Sequence, residues 1–370
     1  MEMNEQTQLA WNIIETTNTN LFLTGKAGTG KTTFLRRLKQ ESSKRIIVVA
    51  PTGIAAINAE GTTIHSFFQL SFAPFIPDAQ YKTKEQQYRF SKQKIRVIQS
   101  IDTLVIDEIS MVRADLLDAV DAVLRRFRKN QLPFGGVQMV MIGDLGQLAP
   151  VAKDDEWQLL SRYYATPYFF SSLALQRTRY AIVELKTVYR QNDQRFLDIL
   201  NKVRDNRADA SVLAALNSRY IKGFQPDADE GYIRLVTHNF QAQRENDRQL
   251  DLLPGKEYTY EAKITGKFPE MLFPTEQTLT LKQGAQVMFV KNDSSAEKAY
   301  YNGMIGTIED INPKNFTVRT KDTGNVIKVE PDQWENTRYE INEKTNEITE
   351  EIDGTFKQFP VKPAWAITVH

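Results

Sequence analysis

The residues best suited to chemistry lie near the start of the chain, where residues 25–32 read GKAGTGKT. This stretch matches the phosphate-loop pattern G-x-x-x-x-G-K-[ST] at every fixed position. Gly28 and Gly30 leave room for backbone N–H groups to curl around a phosphate. Lys31 brings a positive charge to the terminal phosphates, and Thr32 supplies a hydroxyl for Mg²⁺. An apolar strand precedes the loop and a helical pattern follows it, so the spacing predicts a nucleoside triphosphate site and not a chance glycine-rich turn.

Two acids follow a second apolar strand, where residues 103–108 read TLVIDE. Asp107 is predicted to hold the Mg²⁺ shell and Glu108 to polarise the attacking water. The alternative is a strand followed by an acidic helix cap, a position that Ser110 would also fit. The phosphate loop in the same chain favours the catalytic interpretation.

A glutamine follows a third apolar strand, in the stretch GDLGQLAP of residues 143–150. Open α/β sheets bind ligands at the carboxyl ends of their strands, and Gln147 occupies such a position. There it would order the attacking water and sense the γ-phosphate. Taken alone, Gln147 is an ordinary loop glutamine, and only its setting favours this role. Together these residues predict nucleotide hydrolysis, without saying what hydrolysis drives.

The elements that position these residues are short apolar runs that alternate with helical patterns. This alternation predicts an α/β fold with a parallel sheet covered on both faces. The predicted strands are Leu21–Leu23, Ile46–Val49, Leu104–Ile106 and Met139–Ile142. After about Leu253 the pattern becomes β-rich up to Lys362, with turn signals such as Asn302-Gly303. We expect a small antiparallel β unit there, inserted before an apolar strand that begins near Pro363.

Composition narrows the classes of protein. The chain has 370 residues, 47 basic and 46 acidic, for a net charge of +1, so a nucleic-acid site must come from local grouping of residues. Cysteine is absent, which excludes disulfides and thiolate metal sites. Only three histidines occur and none are paired at metal-ligand spacing, so we expect no histidine metal site. With neither a secretion signal nor an apolar run of membrane-spanning length, we expect no membrane association and a bacterial cytoplasmic location, or a nuclear or mitochondrial one in a eukaryote.

Further segments resemble the Pif-one (petite integration frequency) DNA helicases of superfamily one B, whose relatives include the RecD-type helicases. The matching pieces are Glu5-Gln6, APTGIAAINAEGTTIHSFF (50–68), ELKTVYRQND (184–193), LVTHNFQAQREND (235–247), LKQGAQVMFVKND (281–293) and NGMIGTI (302–308). They occur in the family's order and extend over essentially the whole chain. The resemblance implies two RecA-like motor domains with ATP and Mg²⁺ between them, and 5′-to-3′ translocation on single-stranded DNA.

The resemblance also assigns site residues. The nucleotide set is Gln6, Gly28, Thr29, Gly30, Lys31, Thr32 and Thr33, with Lys31, Asp107, Glu108, Gln147 and Arg190 as the catalytic set and Thr32 and Asp107 as metal ligands. Gln6 matches an adenine-reading glutamine, and a solvated helix-start residue is its alternative. Arg190 matches an arginine finger directed at the γ-phosphate, and a structural salt bridge is its alternative.

Single-stranded DNA contacts are implied at Thr52, Gly53, His65 and Phe68, and at Thr237, His238 and Asn239. Such hydroxyl, backbone and imidazole groups suit phosphate contacts that carry no sequence information. For the histidines, a packed or solvated role is the alternative, and this includes His370. Phe68 either stacks on a base or belongs to the core, and the sequence leaves both open.

The resemblance further implies a division of the chain. We expect residues 1–68 and 101–180 to form the first motor domain and 69–100 a strand-separating wedge, for which a self-packed surface subdomain is the alternative. Residues 181–254 and 363–370 would form the second motor domain and 255–362 a small β-barrel insertion. The family pattern continues beyond His370 into another DNA-contacting stretch and a second arginine finger, so this chain is expected to lack the last motor motifs.

The function implied is an ATP-dependent DNA helicase, monomeric in solution, acting on single strands, forked duplexes and G-quadruplexes. Two alternatives stay open at this stage. One is a single-strand-stimulated translocase that remodels protein–DNA complexes without separating strands. The other is a DNA-binding switch whose hydrolysis only times release. The excursion at residues 67–100 favours strand separation, and Arg190 favours a two-domain motor.

Overall fold

The structure is a computed structural model that describes residues 4–77, 90–189, 193–226, 230–293, 295, 297–341 and 348–369. The chain divides into two compact units. Unit 1 comprises residues up to Arg219 together with Thr337–Glu351, and unit 2 comprises Tyr220–Asn336 and Ile352–His370.

Unit 1 is built on a six-stranded sheet in which every described pair of neighbours is parallel, in the order β3-β2-β4-β5-β1-β6. Its strands are β1 (Asn20–Gly25), β2 (Ile46–Ala50), β3 (Thr62–Thr63), β4 (Thr103–Ile106), β5 (Gln138–Gly143) and β6 (Tyr180–Leu185). The four strands predicted from apolar runs are therefore confirmed, as is the α/β class. These runs are almost continuously buried because helices cover both faces of the sheet.

Ten α-helices accompany this sheet within the described part of unit 1. They are α1 (Glu5–Thr16), α2 (Lys31–Glu41), α3 (Gly53–Asn58), α4 (Ile64–Phe68), α5 (Lys92–Ser100), α6 (Ala114–Arg128), α7 (Asp154–Leu160), α8 (Leu173–Gln176), α9 (Gln194–Arg204) and α10 (Ala210–Asn217). Side-chain oxygens cap several of them: Asn4 accepts from Thr7 N at the start of α1, and Asp193 accepts from Phe196 N at the start of α9.

Helix α5 closes the segment 69–100 in which the wedge is predicted. Val97 and Ile98 of this helix are fully buried in the core of unit 1, so its apolar face belongs to that core. Residues 78–89 of the segment lie outside the described residues. The wedge itself stays a prediction.

A segment from late in the chain also joins the core of unit 1. Tyr339 is buried beside Phe67, with ring centroids 5.8 Å apart, and its hydroxyl lies 3.4 Å from both the N and the O of Val48 in strand β2. Lys39 pairs with Glu350 at 3.0 Å. Burial of the Tyr339 ring beside Phe67 explains why Thr337–Glu351 belongs to unit 1.

Unit 2 begins with a parallel pair of strands, β7 (Arg234–Val236) and β18 (Ala366–Thr368), covered by helix α11 (Asn239–Leu252). The remaining strands form sheets in which the described pairs of neighbours are antiparallel, and most of these strands surround an apolar core of their own, which confirms the β-rich character predicted after Leu253. They are β8 (Tyr258–Glu261), β9 (Lys263–Gly266), β10 (Thr278–Leu281), β11 (Gln286–Phe289), β12 (Ile305–Ile311), β13 (Phe316–Thr320), β14 (Val326–Val329), β15 (Asp332–Ile341), β16 (Ile348–Gln358) and β17 (Val361–Pro363), of which β15 and β16 run into unit 1.

Among the described residues, the structure contains no helix long and apolar enough to cross a membrane.

Candidate active site

The phosphate loop lies between the end of β1 and the start of α2, at the carboxyl edge of the sheet. Gly28 and Gly30 have φ angles of 78° and 90°, a region open to glycine at no steric cost. Gly30 is the N-cap of α2, and no side chain caps the first turn of that helix. The N–H groups of this turn are therefore available to an anion.

A cavity of about 330 Å³ opens above this loop. It is lined by Ala27, Gly28, Thr29, Gly30, Lys31, Thr32, Thr33, Glu108, Gln147 and Tyr189. The structure thus brings together the loop, the predicted water-polarising acid and the predicted γ-phosphate sensor, although they follow three different strands. Side chains at the ends of β1, β4 and β5 meet because parallel strands end at one edge of the sheet.

Lys31 folds back over the loop, and its Nζ donates hydrogen bonds to the carbonyls of Gly25 at 2.6 Å and Lys26 at 3.2 Å. Burial lowers the pKa of its ammonium group, while the carboxylates of Asp144, Glu108 and Asp107 act in the opposite direction. These partners are acceptors that phosphate oxygens can replace, so the lysine is placed to hold a negatively charged ligand in the cavity.

The two acids at the end of β4 differ in their surroundings. Asp107 donates its backbone N–H to the Val49 carbonyl, and burial together with the neighbouring Glu108 carboxylate raises the pKa of its side chain to about 6. Burial also raises the pKa of Glu108. Glu108 has a φ of 51°, a left-handed conformation that is uncommon for a residue with a side chain and typical of functional sites. This turn directs the Glu108 side chain into the cavity.

The residues predicted for Mg²⁺ fit that ion in the chemistry of their donor atoms. The Thr32 hydroxyl and the Asp107 carboxylate are hard oxygen ligands of the kind that Mg²⁺ prefers. Two adjacent carboxylates with raised pKa values form a site in which a divalent cation would offset the charge. Thr32 lines the cavity, whereas Asp107 is half-buried just behind Glu108.

Gln147 is held by a residue that the sequence analysis missed. Its Nε2 donates to Asp144 Oδ2 at 3.0 Å, and Asp144 in turn pairs with Arg204 of helix α9, at 2.5 Å. Asp144 stands in the same GDLGQLAP stretch, so its acidic side chain next to a predicted sensor was a usable signal. Arg204 lies 60 residues away in sequence, and no local pattern pointed to it.

Tyr189 is a second residue that was missed. Its backbone N–H donates to the Gly28 carbonyl at 2.8 Å, and its half-exposed side chain lines the phosphate cavity. Its hydroxyl accepts from Asn4 Nδ2 at 3.5 Å, which brings the start of α1 to the cavity edge. Gln6 is two residues along that helix and partly exposed, but it is not among the lining residues. Its adenine-reading role stays a prediction.

A second cavity, of about 290 Å³, contains two of the residues predicted to contact DNA in unit 1. Thr52 and His65 both line it, together with the exposed Phe72 and the ion-paired Arg113 and Asp115. Thr52 caps α3 by accepting from Ala55 N, and Gly53 is the first residue of that helix. Burial, followed by the charge of Arg113, lowers the pKa of His65, so a neutral imidazole faces this cavity.

The structure corrects the expectation that Phe68 stacks on a base. Phe68 has 0% of its surface exposed and packs edge-on against Phe67 within the core, so neither ring face is free. The core role left open by the sequence is the one observed. Phe72, 64% exposed and stacked on His65 with ring centroids 4.5 Å apart, has the free aromatic surface in this region.

The DNA-contact residues predicted in unit 2 lie together at the start of α11. The Thr237 hydroxyl is 2.8 Å from His238 Nδ1, His238 is the N-cap residue, and Asn239 is the first helical residue. All three side chains are accessible, and His238 lies beside the exposed ring of Phe240 at 5.5 Å. Arg190, the predicted arginine finger, and His370 lie outside the described residues.

Comparison with known proteins gives a consistent result. The PIF1-like helicase family matches residues 3–212. The ATP-dependent DNA helicase PIF1 of Saccharomyces cerevisiae is 34% identical over 314 residues, which cover 80% of this chain and 34% of the yeast protein. The structure of Bacteroides sp Pif1 in complex with ADP-AlF4 is 41% identical with a TM-score of 0.91, and Bacteroides Pif1 bound to ssDNA is 41% identical with a TM-score of 0.66. Both structural matches cover 100% of this chain and 83% of the other.

Proposed function

Because this chain belongs to the PIF1-like helicase family, we propose that it is a DNA helicase that draws its energy from ATP hydrolysis. The chain spans about a third of the yeast relative, so the activity of the whole protein is part of the proposal. The observation that carries it is the cavity above the phosphate loop, in which Lys31, Glu108 and Gln147 converge. A relative solved with ADP-AlF4 supports the assignment of that cavity to ATP.

In the proposed reaction, water attacks the γ-phosphorus and ADP leaves. Glu108 accepts a hydrogen bond from that water, and its raised pKa makes it a stronger base than an exposed glutamate. Lys31 and the N–H groups at the start of α2 compensate the charge on the phosphates. Gln147 orients the water, and Arg190 is the proposed arginine finger. When bound at Thr32 and Asp107, Mg²⁺ would neutralise charge that develops on the phosphate oxygens.

We propose that single-stranded DNA is the track of this motor, as in the Bacteroides structure with ssDNA. In unit 1 the strand would contact the Thr52 hydroxyl, the backbone at Gly53 and the neutral imidazole of His65. Phe72 replaces Phe68 as the proposed stacking partner, because a base can stack only on an exposed ring. In unit 2, Thr237, His238 and Asn239 present donors and acceptors for backbone phosphates.

On the family resemblance we also propose that the motor moves 5′ to 3′, opens forked duplexes and G-quadruplexes, and is monomeric in solution. The same resemblance is the basis for proposing two RecA-like motor domains, a wedge at 69–100 and a β-barrel insertion at 255–362. The small antiparallel sheets of unit 2 support the last of these.

Two substitutions in the cavity test the proposal. Lys31→Ala should reduce DNA-stimulated ATP turnover by about 100-fold or more, because it removes the charge that holds the phosphates. Glu108→Gln should keep ATP binding while stopping turnover, because the amide cannot act as a base. Phosphate release and binding of a fluorescent ATP analogue measure both effects.

Ser161→Ala, in an exposed turn after α7, serves as the control and should behave as the wild type. Turnover that persists in Lys31→Ala would disprove the assignment of this cavity to ATP.

A further inference from the structure

Asp144 has an unusual number of partners for a side chain that is 1% exposed. Its Oδ1 accepts from Gly146 N at 2.9 Å, its Oδ2 accepts from Gln147 Nε2 at 3.0 Å, and Arg204 Nη1 lies within 2.6 Å of both oxygens. A buried carboxylate with these partners stays ionised, and the bonds from Arg204, Gly146 and Gln147 together lower its pKa despite burial. Asp144 therefore fixes the shape of the loop that carries Gln147.

Arg204 is the last residue of α9, and its side chain is about three-quarters buried. Nearby charges at the phosphate cavity include Lys31, Glu108 and Asp107, whereas Arg204 itself is not among the cavity-lining residues. Without Arg204, the negative charge of Asp144 would face the site where triphosphate charge must accumulate. Breaking a buried ion pair by removing one partner leaves such a charge uncompensated.

Gly146 provides an independent sign that the guanidinium position matters. A Cβ built on Gly146 would lie 2.6 Å from Arg204 Nη1 and 2.9 Å from its Cζ. The φ of Gly146 is not in the positive region that requires glycine. A side chain at this position would therefore have to displace the Arg204 guanidinium, which packs against the loop backbone.

We propose that Arg204 is a positioning residue for ATP hydrolysis, which acts through Asp144 on the side-chain amide of Gln147. An ionised carboxylate only accepts hydrogen bonds, so it selects the orientation of Gln147 in which Nε2 faces Asp144. The Oε1 end is then the acceptor left for a hydrogen of the attacking water. Arg204 stabilises this orientation by keeping Asp144 charged, and it attaches α9, the helix that follows the segment of Arg190, to the sensor loop.

This inference rests on the proposed hydrolysis of ATP. Removing Arg204 should nevertheless affect the kinetics differently from removing the phosphate site. Arg204→Ala should lower kcat for ATP by about 10- to 100-fold with little change in KM, because Arg204 does not line the cavity. Arg204→Lys should recover part of the rate. The acid limb of the kcat profile should move toward neutral pH in Arg204→Ala, because the pKa of Asp144 rises when its cation is removed. Glu108 acts in the same direction, and Lys31 opposes it only in part.

Lys202→Ala is the matched control, since Lys202 lies on the same helix and, within the described part of the chain, forms an ion pair with the exposed Asp209. Gly146→Ala should reproduce the loss of kcat by displacing the guanidinium. Combined with Arg204→Ala, it should add little further loss, because both changes break the same contact.

A readout without turnover separates this inference from the proposed function. In the wild type, the side-chain amide protons of Gln147 should show a single pair of NMR signals, shifted by the hydrogen bond to Asp144 and identified by their loss in Gln147→Ala. Arg204→Ala should move those signals toward the positions of a glutamine without that bond, and Lys202→Ala should leave them in place. Unchanged signals, or a kcat for Arg204→Ala within twofold of the wild type, would overturn the role of Arg204. A wild-type chain that binds no ATP would instead overturn the proposed function.

Discussion

At the scale of single residues, the carboxylates at the two ends of strand β4 have opposite environments. Asp102, just before the strand, forms a two-point ion pair with Arg45 at 2.7 and 2.8 Å, and its pKa is lowered although burial opposes this. Asp107, just after the strand, has a pKa raised to about 6 by burial and by Glu108. The ionised form of the first carboxylate is stabilised, whereas that of the second is destabilised, as the proposed binding of Mg²⁺ at Asp107 would require.

We therefore expect Asp107→Asn to stabilise unit 1 at pH 7.5 in the absence of nucleotide and Mg²⁺, by about 1–2 kcal/mol. At that pH the native state carries the cost of an ionised Asp107. As the pH falls through about 6, the native carboxyl binds a proton before the unfolded one does, so the wild type gains stability and the advantage of Asp107→Asn shrinks. Thermal unfolding of the two proteins between pH 7.5 and 5 measures this difference.

Asp102→Asn is the matched control and should lower the unfolding temperature at pH 7.5, because its lowered pKa means that the charged form is the stabilised one. If Asp107→Asn were less stable than the wild type at pH 7.5, the ionised Asp107 carboxylate would not destabilise the native state as inferred.

At the scale of elements, the segment 235–247 combines two different roles. Its first polar residues, Thr237 to Asn239, are accessible at the start of α11. Asn246, seven residues after Asn239 and two helical turns along, is buried and faces strand β18. Its Nδ2 donates to the carbonyls of Pro363 and Ala366, and its Oδ1 accepts from Ala366 N at 2.8 Å. Asn246 therefore connects β18 to helix α11 through hydrogen bonds to the Ala366 backbone.

Asn246→Ala should destabilise unit 2 by about 2–4 kcal/mol, because it leaves a buried backbone N–H and two carbonyls without partners. Hydrogen exchange of the amides in 366–368 should accelerate before that of the antiparallel strands. Gln241→Ala, at an exposed position of the same helix, should leave exchange unchanged. Normal protection of β18 in Asn246→Ala would contradict this role.

The sequence predicted elements better than it predicted contacts between them. The strands β1, β2, β4 and β5 were predictable because short apolar runs between turn residues are typical of a buried parallel sheet. Phe68 was ambiguous, since an aromatic at the end of a short helix suits a core as well as a base. The pairing of Arg204 with Asp144, and the packing of Tyr339 against Val48, join residues 60 and 291 positions apart. Only the folded chain brings such partners together.

At the scale of the whole molecule, the net charge limits how the proposed DNA strand could be bound. A net charge of +1 gives no general attraction, so affinity must come from local groups such as those beside Thr52 and His65 in unit 1 and at the start of α11 in unit 2. The proposed contacts are hydroxyl, amide, imidazole and aromatic groups, which suit a strand of any sequence. A motor that moves along DNA needs this tolerance, because each step places a new base at the same site.

Direction of movement is the property of the whole molecule that the family resemblance predicts most specifically. A motor that travels 5′ to 3′ must load on the strand whose single-stranded tail ends in a 5′ terminus, so it reaches the duplex only from that side. We expect a duplex with a 5′ tail to be opened with ATP, and a duplex with only a 3′ tail or blunt ends to stay closed. Fluorescent strand separation should be measured for the three duplexes side by side, with Lys31→Ala as the inactive control. If the 3′-tailed duplex opened as fast as the 5′-tailed one, the polarity would be wrong even though ATP hydrolysis at Lys31 and Glu108 stood.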